Sequence, residues 1–275
     1  MASRVILITG CSSGIGRALA EAFRENGDQV WASARKDADV QALNAAGFEA
    51  LRLDVDDPSA IRDALAQIER QAGRLDVLIN NAGYGAMGPL LDLDAAALQR
   101  QFATNAAAPV SMVRASFDLL RRSRGLVINI GSVSGVLVTP FAGAYCASKA
   151  AIHALSQALR MELRPFGIRV MEVQPGAIES RFGEHASDEA GKALQADSPW
   201  WPLRDQVAAR AGASQQHATP ARHVAQAVVR ATRDRPPRIL RIGRGSRLLP
   251  FMARWLPAPL VESLLCKRFG LDQRL

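Results

Sequence analysis

The sequence predicts a doubly wound α/β fold built on a seven-stranded parallel sheet. Seven short apolar runs alternate with amphipathic segments along most of the 275 residues. Runs that are apolar throughout are typical of parallel strands with helices on both faces. The predicted strands cover residues 5–8, 30–32, 50–53, 77–79, 126–130, 170–173 and 239–242. Strict alternation with helices then favours a doubly wound sheet.

The helices are predicted from their apolar periodicity and from the glycines that follow several of them. The segments with this pattern are residues 16–25, 40–46, 60–71, 98–121, 147–164 and 221–232. Gly27, Gly47, Gly73 and Gly167 stand where a chain commonly leaves a helix. Asn105 lies inside the segment 98–121 and is a poor residue for a helix interior, so we expect a local bend there.

The chain is predicted to have one catalytic domain, residues 1–243, and a C-terminal extension, residues 244–275. Residues 179–219 lack a clean period and follow a predicted strand end, which favours a flap over a substrate site. The net charge is +8, and residues 233–275 carry ten basic against three acidic side chains. The extension also contains large apolar residues, so one or two short amphipathic helices are expected. They are expected to cover the substrate pocket or a subunit interface, and contact with an anionic bilayer is the alternative.

Several classes of protein are disfavoured by composition. Val5–Ile8 is too short for a signal peptide, and no apolar stretch approaches the length of a membrane-spanning helix. Cys11, Cys146 and Cys266 are scattered, so neither a disulfide framework nor a metal site is expected. No nucleic-acid-binding pattern accompanies the basic charge. We therefore expect a cytoplasmic protein, with peripheral membrane contact through the extension as a further possibility.

A glycine-rich turn follows the first predicted strand and precedes the first predicted helix. It places glycines at Gly10, Gly14 and Gly16, with Ser12, Ser13 and Ile15 between them. Glycines let backbone N–H groups approach a pyrophosphate at a helix N-terminus, where the helix dipole favours anions. A tight turn without a ligand is the alternative. The order of strand, turn and helix favours a dinucleotide site.

The end of the second predicted strand indicates which dinucleotide is bound. An NAD site places an acidic residue there to hold the ribose hydroxyls. This chain has Arg35 instead, which can pair with a 2′-phosphate. A solvated arginine at the start of a loop is the alternative. We expect NADP(H) as the cofactor.

A tyrosine and a lysine one helical turn apart form the candidate catalytic pair. The segment from Tyr145 to Lys149 opens the helix that is predicted to run on to residue 164. Residues four apart share one helical face, so the two side chains point the same way. A nearby cation stabilises a phenolate, so Lys149 is expected to lower the pKa of Tyr145. Ser132 follows a strand end and can donate a hydrogen bond to a carbonyl oxygen. Asn81, also after a strand, can satisfy loop backbone groups beside a cofactor.

Taken in order, these residues resemble the motifs of the short-chain dehydrogenase/reductase family, over nearly all of residues 4–242. The resemblance implies a Rossmann fold and a catalytic tetrad of Asn105, Ser132, Tyr145 and Lys149. It implies cofactor contacts from the following residues as well: Gly10, Ser12, Ser13, Gly14, Ile15, Gly16, Arg35, Asp54, Val55, Asn81, Ala82, Gly83, Tyr145, Lys149, Pro175, Gly176, Ile178 and Ser180. Ala108 and Ser180 depart from the family's usual glycine and threonine, and both keep the needed chemistry.

The same resemblance implies an NADP(H)-dependent oxidoreductase that interconverts a carbonyl and an alcohol. The extension is loosely similar to the branch that handles retinoids, steroids or acylglycerone phosphates, which favours a small apolar substrate. Phe141, Val138, Trp200 and Trp201 are candidates for an apolar pocket. Members of the family usually form homodimers or homotetramers, so the resemblance implies one of these assemblies. Three alternatives rank lower: an epimerase or dehydratase, a non-catalytic cofactor sensor, and a lipid- or partner-binding protein.

Overall fold

A computed structural model describes residues 3–180, 191, 194–215, 217–233 and 235–274. In this part of the chain seven strands form one sheet in the order β3-β2-β1-β4-β5-β6-β7, and all neighbours are parallel. The strands are β1 (Val5–Ile8), β2 (Gln29–Ala34), β3 (Glu49–Arg52), β4 (Val77–Asn80), β5 (Leu126–Ile130), β6 (Arg169–Pro175) and β7 (Ile239–Ile242). The predicted fold class and strand number are confirmed.

Helices connect the strands and cover both faces of the sheet. They are α1 (Gly14–Glu25), α2 (Asp37–Ala45), α3 (Pro58–Ala72), α4 (Ala95–Phe102), α5 (Ala108–Ala115), α6 (Phe117–Ser123), α7 (Gly143–Glu162), α8 (Arg204–Gly212), α9 (Ala221–Ala231), α10 (Leu248–Trp255) and α11 (Ala258–Arg268). Local sequence sets several ends. Asp57 caps α3 by accepting a 2.8 Å hydrogen bond from the Ser59 N–H, and Gly73 ends that helix with φ of +67°.

The prediction of one continuous helix over 98–121 is wrong. A π-helical turn, Ala103–Ala107, separates α4 from α5, and Ser116 separates α5 from α6. The Ser116 hydroxyl donates to the Met112 carbonyl at 2.7 Å, which loosens the helical ladder there. The expected bend at Asn105 is present as this π-helical turn, which carries Asn105 at its centre. Such turns inside helices are frequent at functional sites.

The two faces of the sheet bury separate apolar clusters. Phe23 of α1 and Val228 of α9 pack on one face, and Ile68 of α3 and Met112 of α5 pack on the other. The strand order reverses direction between β1 and β4. Open α/β sheets bind their ligands at such a point, outside the carboxyl ends of the strands.

The predicted flap and extension are both partly helical. The flap contributes α8, while residues 181–190, 192, 193 and 216 lie outside the described residues. The extension contains α10 and α11, two short helices as expected. Among the described residues, no helix is both long enough and apolar enough to cross a bilayer.

Candidate active site

The glycine-rich turn joins β1 to α1 at the carboxyl edge of the sheet. Gly10 and Gly14 adopt left-handed backbone conformations, with φ of +71° and +57°. Gly16 is packed so closely that a Cβ there would collide with the Gly10 carbonyl oxygen and the Asn81 side chain. Gly10 and Gly14 therefore need glycine for their positive φ angles, and Gly16 needs it for the close approach of the backbone.

The N-terminus of α1 fits a phosphate group. Ser13 is the N-cap residue and its side chain forms no capping bond, and the first turn of α1 contains no acidic residue. Backbone N–H groups at the start of a helix lack helical partners, and the helix dipole is positive there. Ser12 precedes the N-cap residue, and Gly14 and Ile15 follow it. The backbone N–H groups of this turn are suited to bind an anion.

The segment after β4 is fastened to this turn by four hydrogen bonds. Asn81 Nδ2 donates to the carbonyl oxygens of Thr9 and Gly10 at 2.9 and 3.0 Å. The backbone N–H groups of Asn81 and Ala82 donate to Thr9 Oγ1 at 2.9 and 3.0 Å. Asn81 and Ala82 therefore lie directly beside the glycine turn, and Gly83 follows them.

The residues predicted to contact the adenosine half follow β2 and β3. Ala34 and Arg52 are paired at the ends of these strands, so Arg35 and Asp54 lie at neighbouring positions on the sheet edge. Arg35 is exposed, and no ion pair to it occurs within the described ranges. Asp54 Oδ1 accepts a 3.1 Å hydrogen bond from the Asp56 N–H, and Val55 is buried below the loop.

Ser132, Tyr145 and Lys149 meet at the same edge. Ser132 follows β5, and its Oγ accepts a 3.1 Å hydrogen bond from the Ser134 N–H. The Tyr145 side chain hydrogen bonds with Ser132. Lys149 Nζ lies 5.9 Å from the centre of the Tyr145 ring and donates to the Ile130 carbonyl oxygen at 2.8 Å. The structure thus brings together three of the four predicted catalytic side chains in direct contact or near it.

Burial dominates the electrostatics of this pair. It raises the pKa of Tyr145 to about 12, and the hydrogen bond with Ser132 opposes that shift only in part. It also lowers the pKa of Lys149 to about 8. The expected lowering of the Tyr145 pKa is therefore wrong for this arrangement, because desolvation is the largest influence on the phenol. Tyr145 is a neutral phenol near pH 7 and can act as a proton donor.

Asn105 stands one layer behind these groups. Its Oδ1 accepts from the Tyr84 N–H at 3.1 Å, and its Nδ2 donates to the Tyr84 carbonyl at 2.9 Å and to Ser148 Oγ at 3.0 Å. A Cβ at Gly83 would lie 2.9 Å from Asn105 Oδ1 and 3.7 Å from Lys149 Nζ, so both side chains border Gly83. Asn105 joins the loop after β4 to α7 and fixes their separation.

The loop after β6 closes the cofactor side of the site. Pro175 ends β6, and the Gly176 N–H donates to the Ile242 carbonyl at 2.9 Å. Ile178 is buried, and a Cβ at Gly14 would lie 2.8 Å from the Ser180 Cβ. The glycine turn and this loop are far apart in the sequence, and they meet at Gly14 and Ser180.

His153 is a site residue that the motif analysis missed. Its Nε2 accepts a hydrogen bond from the Ser132 N–H at 3.4 Å. Burial lowers the pKa of His153 to about 4, so the ring is neutral near pH 7 and its 3.3 Å approach to Glu172 is not an ion pair. The sequence carried a signal, since Tyr145, Lys149 and His153 recur every four residues on one helical face.

The substrate side of Tyr145 is apolar and includes the extension. Tyr145 is buried in a cluster with Phe141, Phe269 and residues of α8, and Trp200 packs against it. Phe141 and Phe269 meet edge to face with ring centres 6.2 Å apart. Phe141 has φ of +59°, rare for an aromatic residue and typical of strained functional loops. The other two candidates for the apolar pocket, Val138 and Trp201, are 62% and 39% exposed.

Comparison with known proteins agrees with this geometry. The family model for short chain dehydrogenases matches residues 4–191. This chain therefore belongs to the short-chain dehydrogenase/reductase family, and it is an oxidoreductase by that membership. The family uses nicotinamide cofactors, which agrees with the glycine turn and the loop after β6.

Individual relatives show how far the likeness extends. The chain is 39% identical over 219 residues to the short-chain dehydrogenase ptmH of Penicillium ochrochloron, covering 78% of this chain and 79% of the relative. It is 35% identical over 206 residues to an NADPH-dependent 1-acyldihydroxyacetone phosphate reductase of Schizosaccharomyces pombe, covering 74% and 70%.

Two solved structures share the fold over most of their length. A short-chain dehydrogenase from Streptomyces avermitilis is 29% identical, with a TM-score of 0.79 and full coverage of both chains. A short chain dehydrogenase/reductase from Burkholderia phymatum, solved in complex with NAD, is 25% identical, with a TM-score of 0.74 and coverage of 86% and 88%.

Proposed function

We propose that this chain reduces the carbonyl group of an apolar substrate with NADPH, using Asn105, Ser132, Tyr145 and Lys149. The observation that carries the proposal is the buried phenol of Tyr145, hydrogen bonded to Ser132, one turn from Lys149 and at the sheet edge that holds the glycine turn. A phenol that stays protonated near pH 7 suits the reductive direction, since reduction requires a proton for the carbonyl oxygen.

Each side chain has a distinct task in this mechanism. A nicotinamide cofactor bound along the glycine turn would supply the hydride. Tyr145 gives its proton to the substrate oxygen, and Ser132 donates a hydrogen bond that stabilises negative charge on that oxygen. Lys149, held by the Ile130 carbonyl, places a cation near the phenol and stabilises the phenolate left after transfer. Asn105 holds α7 and the loop after β4 at the spacing this requires.

NADP(H) is favoured over NAD(H) by the end of β2. Arg35 follows the buried Ala34, and no acidic residue stands at the end of this strand. A guanidinium binds a phosphate through paired charge-assisted hydrogen bonds, whereas a carboxylate would repel it. The relative from Schizosaccharomyces pombe is described as NADPH-dependent, and the structure from Burkholderia phymatum holds NAD. Similar proteins therefore include one of each cofactor type.

An apolar substrate is favoured by the cluster around Tyr145, and an acyl chain is favoured by one relative. Phe141 and Phe269 share the buried cluster of Tyr145, and Trp200 packs against that cluster. The named substrate of the Schizosaccharomyces pombe relative carries such a chain.

We further expect a dimer or tetramer, since exposed alanines such as Ala107 and Ala154 permit close helix approach. Light scattering that shows a monomer at micromolar concentration would contradict this.

The experiment that tests the function is a cofactor and substrate panel. Purified protein is given NADPH or NADH with decanal, 2-dodecanone or hexadecanoyl-dihydroxyacetone phosphate, and the loss of absorbance of the reduced nicotinamide is followed. We expect turnover with at least one carbonyl and a higher kcat/KM with NADPH. Tight NADPH binding without oxidation by any of these carbonyls would instead favour a non-catalytic cofactor sensor.

A further inference from the structure

A buried arginine lies next to residues of the apolar cluster that contains the reacting tyrosine. Arg210 belongs to α8, is only 9% exposed and is flanked by the buried Val207 and Ala211. These two neighbours are part of the apolar cluster that contains Tyr145. Arginine is almost never buried to this degree without a paired charge, because removing a cation from water is costly. Its burial therefore calls for a specific explanation.

The partners of Arg210 are neutral groups. Its Nε donates to Thr139 Oγ1 at 2.7 Å, and its side chain also hydrogen bonds with Cys146, the neighbour of Tyr145. Thr139 lies in the loop between Ser132 and Tyr145, so the guanidinium bridges α8 to the catalytic loop and to α7. Within residues 3–180 and the later described ranges, no carboxylate forms an ion pair with it.

The electrostatics reinforce this picture. Burial lowers the pKa of Arg210, and Arg268 acts in the same direction, while Cys146 and Tyr145 act in the opposite one. The ordinary arginine pKa is so high that the group stays charged. A positive charge is thus held in an apolar cluster, beside the phenol, with a second cation nearby. An anion that entered the cluster would gain a strong partner.

We propose that Arg210 binds an anionic group, a carboxylate or a phosphate, on the carbonyl substrate. The substrate class is then an amphiphile that carries a carbonyl, an apolar chain and an anion, rather than a neutral ketone or aldehyde. This inference rests on the proposed reductase function and narrows it. Arg210 acts as a specificity-determining residue. Its hydrogen bond to Thr139 orients the guanidinium group.

A purely structural role for Arg210 gives a different expectation. An arginine that only ties α8 to Thr139 and Cys146 would, when removed, disturb all substrates alike. An arginine that binds the substrate anion would affect charged substrates and leave neutral ones nearly unchanged. The ratio of two kcat/KM values measured on the same variant separates the two roles, since a general loss of order cancels in the ratio.

The experiment compares matched acid and ester substrates. The oxo-acids are 4-, 5- and 6-oxododecanoate, each paired with its methyl ester, and a phosphate arm pairs hexadecanoyl-dihydroxyacetone phosphate with hexadecanoyl-dihydroxyacetone. The variants are Arg210→Met, which keeps the length, and Arg210→Lys, which keeps the charge. Arg204→Met is the matched control, since Arg204 lies on the same helix with an exposed side chain and the same charge.

In the wild-type protein we expect the anionic member of at least one pair to be preferred. In Arg210→Met that preference should fall by about 10- to 100-fold, the effect of losing a charge-assisted hydrogen bond. Arg210→Lys should recover part of it, and Arg204→Met should leave it unchanged. Whichever pair shows the preference tells a carboxylate from a phosphate. Equal use of acid and ester by the wild type, or a parallel loss of both in Arg210→Met, would overturn the proposal.

A binding measurement keeps this test separate from the proposed function. Thermal shifts are measured with dodecanoate, dodecyl phosphate and dodecanol, each in wild type and Arg210→Met. We expect one of the anions to stabilise the wild type more than the alcohol does, and Arg210→Met to lose that difference. If no carbonyl is reduced but this difference is present, the reductase proposal fails and the anion site stands. If carbonyls are reduced but neither anion stabilises the protein more than dodecanol does, the anion-site proposal fails and the reductase proposal stands.

Discussion

The two sides of Tyr145 are built by different means. On the cofactor side, Thr9, Gly10, Asn81 and Ala82 are joined by short hydrogen bonds that involve backbone atoms, at positions set by adjacent parallel strands. On the substrate side, side chains from the loop after Ser132, from α8 and from the extension pack together with few polar contacts. Backbone geometry tolerates little change, whereas apolar packing tolerates changes of similar volume. The first side is therefore suited to a constant ligand and the second to a variable one.

The largest expected effect lies at the junction of the two sides. Tyr145→Phe removes the proton donor and should lower kcat by roughly 10²- to 10⁴-fold. NADPH binding should change little, because the backbone donors of the glycine turn are untouched. Kinetics with the best carbonyl of the panel and NADPH titration by tryptophan fluorescence measure the two quantities. A nearly normal kcat would contradict the assigned mechanism.

A smaller effect is expected on the cofactor side. Arg35→Asp should shift the ratio of kcat/KM for NADPH over NADH by roughly 10- to 100-fold toward NADH, because it removes a phosphate partner and adds an acceptor for ribose hydroxyls. Lys36→Asp makes the same change of charge one residue further and is the matched control. An unchanged ratio in Arg35→Asp would show that this arginine does not recognise the phosphate.

The same contrast explains what could be predicted from the sequence. The strands and the glycine turn could be predicted because their geometry depends on patterns within a few neighbouring residues. These patterns are the apolar runs and the glycines at Gly10, Gly14 and Gly16. Arg210 was not predicted because its burial depends on packing between segments distant in sequence. The pKa of Tyr145 was predicted with the wrong sign for the same reason: desolvation is a property of the assembled cluster.

A pH effect of moderate size is expected from His153, which accepts the Ser132 N–H. Its folded pKa of about 4 lies below the ordinary value of 6.5, so the unfolded chain binds more protons between these values. The stability contributed by neutral His153 is full above pH about 6.5 and is lost as the pH falls toward 4. The slope of the unfolding free energy against pH over this window should be smaller in His153→Gln. An equal slope in both proteins would show that His153 does not titrate as inferred.

The smallest effect, and the sharpest test of the substrate side, concerns the extension. Phe269 is buried against Phe141 near Tyr145, which favours a lid that excludes water from the site. Leu248, Phe251 and Trp255 of α10 are 60%, 56% and 68% exposed beside Arg247 and Arg254, as a surface for an anionic bilayer would be. The two ideas concern different parts of the extension, α10 and the residue after α11, and can be tested separately.

Phe269→Ala should reduce kcat/KM for bulky apolar carbonyls several-fold in detergent-free solution, because the lid loses its contact with Phe141. Trp255→Ser should leave these kinetics intact and reduce co-sedimentation with phosphatidylserine vesicles. Truncation after Gly243 should produce both losses if both helices act as inferred. Normal kinetics in Phe269→Ala would leave the lid without support, and unchanged vesicle binding in the truncated chain would remove the bilayer contact. A truncated chain that behaves as wild type in both assays would make the extension dispensable, and the substrate side would then depend on α8 and the loop after Ser132 alone.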